Sequence, residues 1–195
     1  MDEQAVRRIT SRLWGPICAI TAAHAGEAGG QIAVGVFSAS ILPEYPRIGI
    51  ELWKANRTHD LVRDAGAFAV HPLGADADAQ ALVRRLGFVS ARDVSGGKLD
   101  GLDWHPGDTG SPILATALGY LECRVTGALD TGDMTLFIGT VVAGAWHGAD
   151  AEMTPAYKLI GAMPQAWQDE YKAHDADQRA AAKRLLGLPP DGDGA

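Results

Sequence analysis

The stretch LGYLECRVTGALDTGDMTLFIGTVV, residues 118–142, carries the clearest strand pattern in the chain. Its first half alternates between two faces, as the side chains of an extended strand do. The two faces are Leu121, Cys123 and Val125 on one side and Tyr120, Glu122 and Arg124 on the other. DTGD at 130–133 has the composition of a tight turn, and 134–145 is a second apolar, β-branched run. The stretch therefore predicts an antiparallel hairpin formed by strands 117–129 and 134–145.

Four more strand-like runs precede this hairpin, so six strands are predicted in all. They are residues 17–23, 31–40, 47–54 and 67–73, with turn chemistry at 25–30. Helical spacing predicts helices at 2–13, at 76–86 and at 164–186, and another that Asn56 or Thr58 caps and Gly66 ends. Strands joined by hairpins and short excursions favour a mainly β protein, an antiparallel Greek-key barrel with flanking helices, over a doubly wound sheet.

The domain organisation follows from the same pattern. We expect one β-barrel domain over residues 1–162 and a C-terminal helix over 163–188 that packs on the barrel or on a partner. Residues 88–112 form a Gly- and Asp-rich loop without periodicity, and a loop of this length is usually functional or mobile. The tail PPDGDGA, 189–195, is expected to be disordered.

Composition excludes several classes of protein. The chain has 195 residues, 47% of them hydrophobic, and a net charge of −7 from 17 basic and 24 acidic residues. This argues against a disordered chain and against a large nucleic-acid interface. The 24 glycines follow no three-residue period, which excludes collagen. The acidic amino terminus and the lack of a run of about 18 apolar residues predict no signal peptide and no membrane span, hence a cytoplasmic protein.

The cysteines and histidines give no metal-site pattern. Cys18 and Cys123 lie in apolar runs and are expected to be buried free thiols. The six histidines show no paired spacing typical of metal ligands, and no nucleophile motif occurs. His71, on a predicted strand, is the most interesting histidine, and a hydrogen-bonded structural role competes with a catalytic one.

The segment KANRTHD, 54–60, combines charge with a helix start. A helix N-terminus offers unpaired N–H groups and partial positive charge, which suits an anion. Lys54 and Arg57 add full charges, while Asn56 and Thr58 add side-chain donors, so the segment has the composition of a phosphate cradle. The alternative is an ordinary helix cap with two solvated basic residues, and the segment by itself leaves both open.

The run AVGVFSAS, 33–40, places small residues between apolar ones. A flat ligand can lie against such a strand and bond to its backbone. The alternative is a barrel strand whose small residues fit a tight interior.

Together these segments resemble the flavin-reductase-like family of FMN-binding split-barrel proteins. Four stretches between residues 17 and 142 carry the resemblance in the family's order. They are VFSASILPEYP, WKANRTHDLVRDAGAFAVHPL, ALVRRLGF with the loop after it, and LGYLECRVTGALDTGDMTLFIGTVV. The resemblance implies a Greek-key split barrel that forms a homodimer, with FMN, or else FAD, near the dimer interface.

The resemblance also implies a set of flavin-binding residues, with the chemistry carried by the flavin and no catalytic side chain assigned. The set is Ala33, Val34, Gly35, Val36, Phe37 and Ser38 near the ring, Lys54, Asn56, Arg57 and Thr58 at the phosphate, and Trp53 as a further cofactor-binding residue. Many family reductases have a Thr/Ser-rich run where this chain has 33–36, and His where it has Met134. Met134 and His71 are the candidates for the nicotinamide side, but Met cannot donate a hydrogen bond.

Three functions remain open on this reading. The first is an oxidoreductase that passes electrons from NAD(P)H through flavin to free flavin or another acceptor. The second is an FMN-binding electron carrier without a nicotinamide site, which Met134 and the apolar run 33–36 favour. The third is a non-enzymatic split barrel that binds another ligand.

Overall fold

The computed structural model describes residues 2–10, 12–88 and 97–189. Most of the chain's strands belong to one antiparallel sheet, and helices flank it. The strands are β1 Cys18–His24, β2 Glu27–Ala33, β3 Val36–Ser38, β4 Arg47–Trp53, β5 Ala67–Pro72, β6 Trp104–Pro106, β7 Pro112–Leu114, β8 Gly119–Asp130 and β9 Met134–Trp146. The helices are α1 Glu3–Thr10, α2 Arg57–Ala65, α3 Ala77–Gly87, α4 Ala156–Ala162 and α5 Gln165–Leu185.

The main sheet has the strand order β2-β1-β5-β8-β9-β4-β3, and its two outermost strands are consecutive in the chain. Three peptide units join Ala33 at the end of β2 to Val36 at the start of β3, and they span at most about 11 Å. In a flat sheet, seven strands would place the outermost pair about 29 Å apart. The sheet must therefore curl until its edges approach, and it forms a half-barrel.

The prediction of six strands was wrong, because the main sheet contains seven. The run 31–40 was predicted as one strand, but it divides at Val34 and Gly35 into β2, which pairs with β1, and β3, which pairs with β4. Apolar periodicity reports which face a residue occupies and says nothing about a change of partner strand. A separate ribbon pairs β6, which lies in the predicted loop 88–112, with β7, which begins at the last residue of that loop, and each strand is too short to show a period.

The hairpin of β1 and β2 turns more tightly than its glycines suggested. Ala25 and Gly26 alone form the turn, with φ of 51° and 83°, and the strand resumes at Glu27. Gly29 is needed inside the strand for a different reason, since a Cβ there would lie 2.8 Å from Cδ1 of Leu61. Its lack of a side chain lets α2 pack directly on β2.

Two apolar clusters stabilise the molecule. The inner cluster combines one face of six strands with α2 and therefore fills the curl, whereas the outer cluster lies between the sheet, α3 and α4. The inner cluster is Cys18, Ile20, Ala22, Ala33, Ile50, Leu52, Leu61, Val62, Phe68, Val70, Cys123 and Phe137. The outer cluster is Ile17, Ala19, Leu73, Ala79, Leu82, Val83, Leu86, Phe88, Leu99, Leu114, Ala117, Ala156, Leu159 and Met163.

The predicted long helix corresponds to α5, whose Trp167 and Tyr171 pack against the outer cluster. The predicted boundary at residue 162 falls between α4, which the sequence did not predict, and α5.

Cys18 and Cys123 are buried and unpaired, as expected. Most of the predicted tail, 190–195, and residues 89–96 of the loop lie outside the described residues. Within the described ranges, no helix is long and apolar enough to cross a membrane.

Candidate functional site

The end of β4 and the start of α2 form the centre of the candidate site. Trp53 ends the strand, Asn56 is the N-cap and Arg57 is the first helical residue. The Asn56 side chain makes no capping hydrogen bond, so its amide is not committed to the helix. The first N–H groups of a helix have no intrahelical acceptor, and they give this end of α2 the character of an anion site.

The two basic side chains of the site point to two different hairpins. Lys54 Nζ forms an ion pair with Asp130 at the turn between β8 and β9. Arg57 donates from Nε and Nη2 to Glu27 at the start of β2, at 2.8 and 2.5 Å. The hydrogen bond from Arg57 lowers the pKa of Glu27, and that from Lys54 lowers the pKa of Asp130. Both carboxylates therefore stay ionised at neutral pH.

A second layer lies beneath these charges. Thr58 and His59 are both buried, and His59 Nε2 lies 2.9 Å from Thr135 Oγ1 on β9. The other ring nitrogen of His59 lies 3.2 Å from Asp60 Oδ1, and the ring packs 5.5 Å from that of Phe137. These contacts tie the first turn of α2 to β9 and fix the cradle relative to the strand that begins at residue 134.

Trp53 and Met134 are direct partners in the pairing of β4 with β9. The backbone N–H of Lys54 donates to the Asp133 carbonyl at 3.0 Å, which continues the pairing into the turn. The structure thus brings the predicted nicotinamide-side residue Met134 next to the predicted phosphate segment. Nothing in the spacing of these residues along the sequence indicated that they would meet.

Two buried polar atoms near the cradle lack a hydrogen-bond partner among the described residues. They are Nε1 of Trp53 and Oε1 of Gln31. Gln31 lies on β2, which contacts both α2 and β4. A buried polar atom without a partner is costly, so each is a candidate contact for a polar ligand. Gln31 was not predicted as a site residue, although it is a polar side chain at the start of the predicted strand 31–40.

The predicted ring-binding segment 33–38 runs beside β4. The Gly35 carbonyl accepts from Glu51 N at 2.9 Å, and a Cβ on Gly35 would lie 2.7 Å from Glu51 Oε2. Val34 packs on the outer cluster and Val36 on the inner one, so the segment passes through the sheet edge. The remaining members are buried Ala33, exposed Phe37, whose ring covers Gly49, and exposed Ser38, which bonds to the Ser40 carbonyl.

His71 lies apart from the other predicted residues. It is completely buried on β5, with Nδ1 3.3 Å from the Ala19 carbonyl and Nε2 accepting from Leu114 N at 3.2 Å. Burial lowers its pKa to about 4, so the ring is neutral at physiological pH. These contacts hold three strands together and favour the structural alternative for His71.

Comparison with known proteins gives the family of the chain. Residues 10–165 match the family described as the flavin reductase like domain. The chain belongs to the flavin reductase like family. The match confirms the resemblance predicted from the four sequence stretches, and it extends beyond both ends of the range that carried the resemblance.

Two curated relatives are each 31% identical to this chain. The first is the high molecular weight rubredoxin of Moorella thermoacetica, which aligns with 80% of this chain over 65% of its own length. This chain thus spans just under two thirds of that protein. The second is the NADH:riboflavin 5'-phosphate oxidoreductase of Streptomyces pristinaespiralis, with 71% of this chain and 75% of the relative aligned.

Among solved structures, the chain is similar to the NADH:FAD oxidoreductase of Streptomyces globisporus. The TM-score is 0.64 at 26% sequence identity, and the alignment covers 77% of this chain and 86% of the other. The curled sheet with flanking helices is therefore the fold of this family.

Proposed function

We propose that this protein is a flavin-dependent oxidoreductase that binds FMN at the start of α2 and takes electrons from NAD(P)H. The observation that carries the proposal is the end of α2 itself. Two cations and the Asn56 amide, which makes no capping hydrogen bond, lie at this helix N-terminus, and Trp53, whose buried Nε1 has no partner among the described residues, ends the strand just before it. A phosphorylated ring compound with polar edges suits these groups, because it can meet both the charges and the indole donor.

The residues divide into two roles in this proposal. Asn56, Thr58 and the first N–H groups of α2 hold the phosphate together with Lys54 and Arg57. The backbone and small side chains of 33–36, with Phe37 and Ser38 next to them, contact the ring, and Trp53 closes one side of the site. FAD, which carries the same riboflavin phosphate, is an alternative occupant. The flavin supplies hydride and electron transfer when bound, so the chain itself binds, orients and excludes water.

Met134 is proposed to contact the nicotinamide side, because it lies beside Trp53 in the sheet. His71 is left out of the proposed site because of its complete burial. The names of two similar proteins support the assignment, since one is an NADH:riboflavin 5'-phosphate oxidoreductase and another an NADH:FAD oxidoreductase.

The first experiment compares FMN with riboflavin, which lacks the phosphate. Flavin-free protein is titrated with each ligand, and the quenching of flavin fluorescence is followed. We expect Lys54→Met to raise the Kd for FMN about tenfold, the loss of one charge-assisted hydrogen bond, and to leave riboflavin almost unchanged. Lys158→Met, which removes an exposed lysine from α4, is the matched control.

The outcomes of this titration are distinct. If Lys54→Met weakens the binding of FMN and of riboflavin equally, the phosphate does not bind at Lys54. Absence of any flavin binding by a folded protein would overturn the assignment and leave a split barrel that binds another ligand. Saturable oxidation of NADH or NADPH above the free-flavin background then establishes the reductase.

The second candidate is an FMN-binding electron carrier. Met134, which cannot donate a hydrogen bond to a nicotinamide, favours it, and one relative is named as a rubredoxin, although this chain spans only part of that protein. A carrier binds FMN tightly but is reduced by dithionite or a partner and not by NADH. Rapid, saturable reduction of bound FMN by NADH or NADPH excludes it.

The proposed assembly is a homodimer of Greek-key split barrels. Four apolar residues on the outer face of β3, β8 and β9, here called the outer patch, support a second copy as the occupant of this face. They are Phe37 and Leu129, which are 47% and 61% exposed, and the half-buried Leu136 and Ile138. Trp53 and Met134 lie on the same face, so a dimer through the patch sets the flavin site beside the interface. A cytoplasmic location stays a prediction.

A further inference from the structure

Each cation of the proposed phosphate site already has a carboxylate partner within the chain. Lys54 is paired with Asp130, 76 residues away, and Arg57 is held in a two-bond fork by Glu27, 30 residues away. Arg57 Nη1 also lies 3.7 Å from Asp60 Oδ2. The cradle is therefore rich in donors, but its two positive charges are compensated before any ligand arrives.

The two carboxylates are held in place by the fold. Asp130 Oδ1 also accepts the backbone N–H of Gly132 at 2.8 Å, which fixes the carboxylate within its own hairpin turn. Glu27 follows directly on the two-residue turn between β1 and β2. The hairpins β1–β2 and β8–β9 thus each bring one carboxylate to one cation at the α2 N-terminus.

An arriving phosphate dianion meets these carboxylates in either of two ways. It can displace them, which is feasible because exposed ion pairs are individually weak. It can also bind beside them and share the cations, and then like charges stand a few ångströms apart. In both cases part of the attraction between phosphate and cation is lost, and the ligand is held less tightly than the donor set alone would allow.

We propose that Glu27 and Asp130 are affinity-setting residues that keep the bound flavin phosphate exchangeable. This inference rests on the proposed function. FMN would then be a ligand that enters and leaves during turnover, as a flavin substrate or a flavin product passed to another protein must, and not a permanently held group. We expect the two carboxylates to weaken the binding of the phosphate and not that of the ring, because each is paired with a cation of the proposed phosphate site.

The competing explanation is that the pairs merely stabilise α2 and the hairpins. Isosteric variants separate the two explanations, because Asp130→Asn and Glu27→Gln keep an acceptor for the neighbouring donors and remove only the charge. Asp169→Asn is the matched control, since it removes an exposed carboxylate from α5, where the partner is Lys172. The three variants and the double variant are titrated with FMN and with riboflavin at low salt.

We expect Asp130→Asn and Glu27→Gln each to lower the Kd for FMN about three- to tenfold and the double variant to lower it further. Riboflavin affinity should change less than twofold, and Asp169→Asn should bind FMN like the wild type. The FMN dissociation rate, followed by dilution into apo-flavoprotein, should fall in parallel. Raising the NaCl concentration from about 50 to about 300 mM should reduce the difference in the Kd for FMN between the variants and the wild type, because salt screens the charges.

The result that overturns the inference is unchanged or weaker FMN binding in both charge-removing variants when the wild type binds FMN. The same change for riboflavin as for FMN overturns it too, because the carboxylates would then act on the ring site. If no variant and no wild-type protein binds either flavin while circular dichroism shows the fold intact, the proposed function itself fails and the inference fails with it.

Discussion

At the scale of single residues, His71 shows how burial changes the chemistry of a side chain. It has no exposed surface, and its two ring nitrogens are used by the Ala19 carbonyl and the Leu114 N–H. Desolvation disfavours the charged ring and lowers its pKa. The hydrogen bond to the Ala19 carbonyl and the charge of Glu122 raise the pKa by a smaller amount. The pKa of about 4 means that folding keeps the proton off a ring that binds it when the chain unfolds.

This difference predicts acid sensitivity with a definite sign. The unfolded chain binds the proton near pH 6.5 and the folded chain near pH 4, so the free energy of unfolding falls as pH decreases between these values. The loss from this residue between pH 7 and 5 is about 2 kcal/mol. Urea unfolding at several pH values measures it, and His71→Asn should remove this part of the slope. An identical slope in the variant would contradict the assignment.

At the scale of elements, α2 is positioned by its two ends. Its N-terminus carries the candidate cradle, and its C-terminus ends at Gly66 with φ of 62°, where Gly66 N donates to the Val62 carbonyl. A residue with a Cβ is strained in this left-handed conformation, although no atom crowds the position. The glycine therefore ends the helix at a defined place, and Ala67 starts β5 directly after it.

Replacement of Gly66 tests whether its left-handed backbone is needed to end α2. Gly66→Ala should destabilise the protein by about 1 kcal/mol, because alanine must adopt a left-handed backbone. Gly161→Ala is the control, since Gly161 lies in α4 with open space at its Cβ, and there alanine should be neutral or stabilising by up to about 1 kcal/mol. Chemical denaturation of both variants gives the comparison. Equal effects would show that the backbone conformation of Gly66 does not matter.

At the scale of the whole molecule, the curl of the sheet produces two faces with different neighbours. The inner face is filled by the inner cluster and covered by α2, whereas the outer face of β3, β8 and β9 keeps the outer patch in contact with solvent. Contiguous exposed apolar surface usually marks an interface. Because Ile138 pairs with Gly49 under the ring of Phe37, it lies at the centre of this patch.

A substitution of Ile138, at the centre of the outer patch, tests the proposed dimer. Each chain has a mass of 20.5 kDa, so sedimentation should give about twice this value for the wild type. Ile138→Lys should give the monomer and reduce flavin affinity, because a buried charge opposes the interface. Tyr157→Lys, a change of an exposed residue on α4, should leave the dimer intact. A monomeric wild type would contradict the proposal.

The sequence predicted what depends on neighbours along the chain. Alternation predicted the hairpin of β8 and β9, and the order strand, polar segment, Gly66 predicted α2 and the cradle at its start. The turn between β1 and β2 was predicted at the right place but four residues too long, because residues 27–30 also have turn composition. The ribbon of β6 and β7 was missed because three residues are too few to define a period.

The sequence by itself determined most of the longer helices and strands, the family and the residue types of the candidate cradle, because each depends on local periodicity and local chemistry. Tertiary structure alone decided that the run 31–40 divides between two sheet edges and that Met134 lies beside Trp53. It also decided that the two cations of the cradle meet Glu27 and Asp130. The physical reason is distance along the chain, since contacts across 30 and 76 residues depend on how the whole sheet curls and not on any spacing within one element.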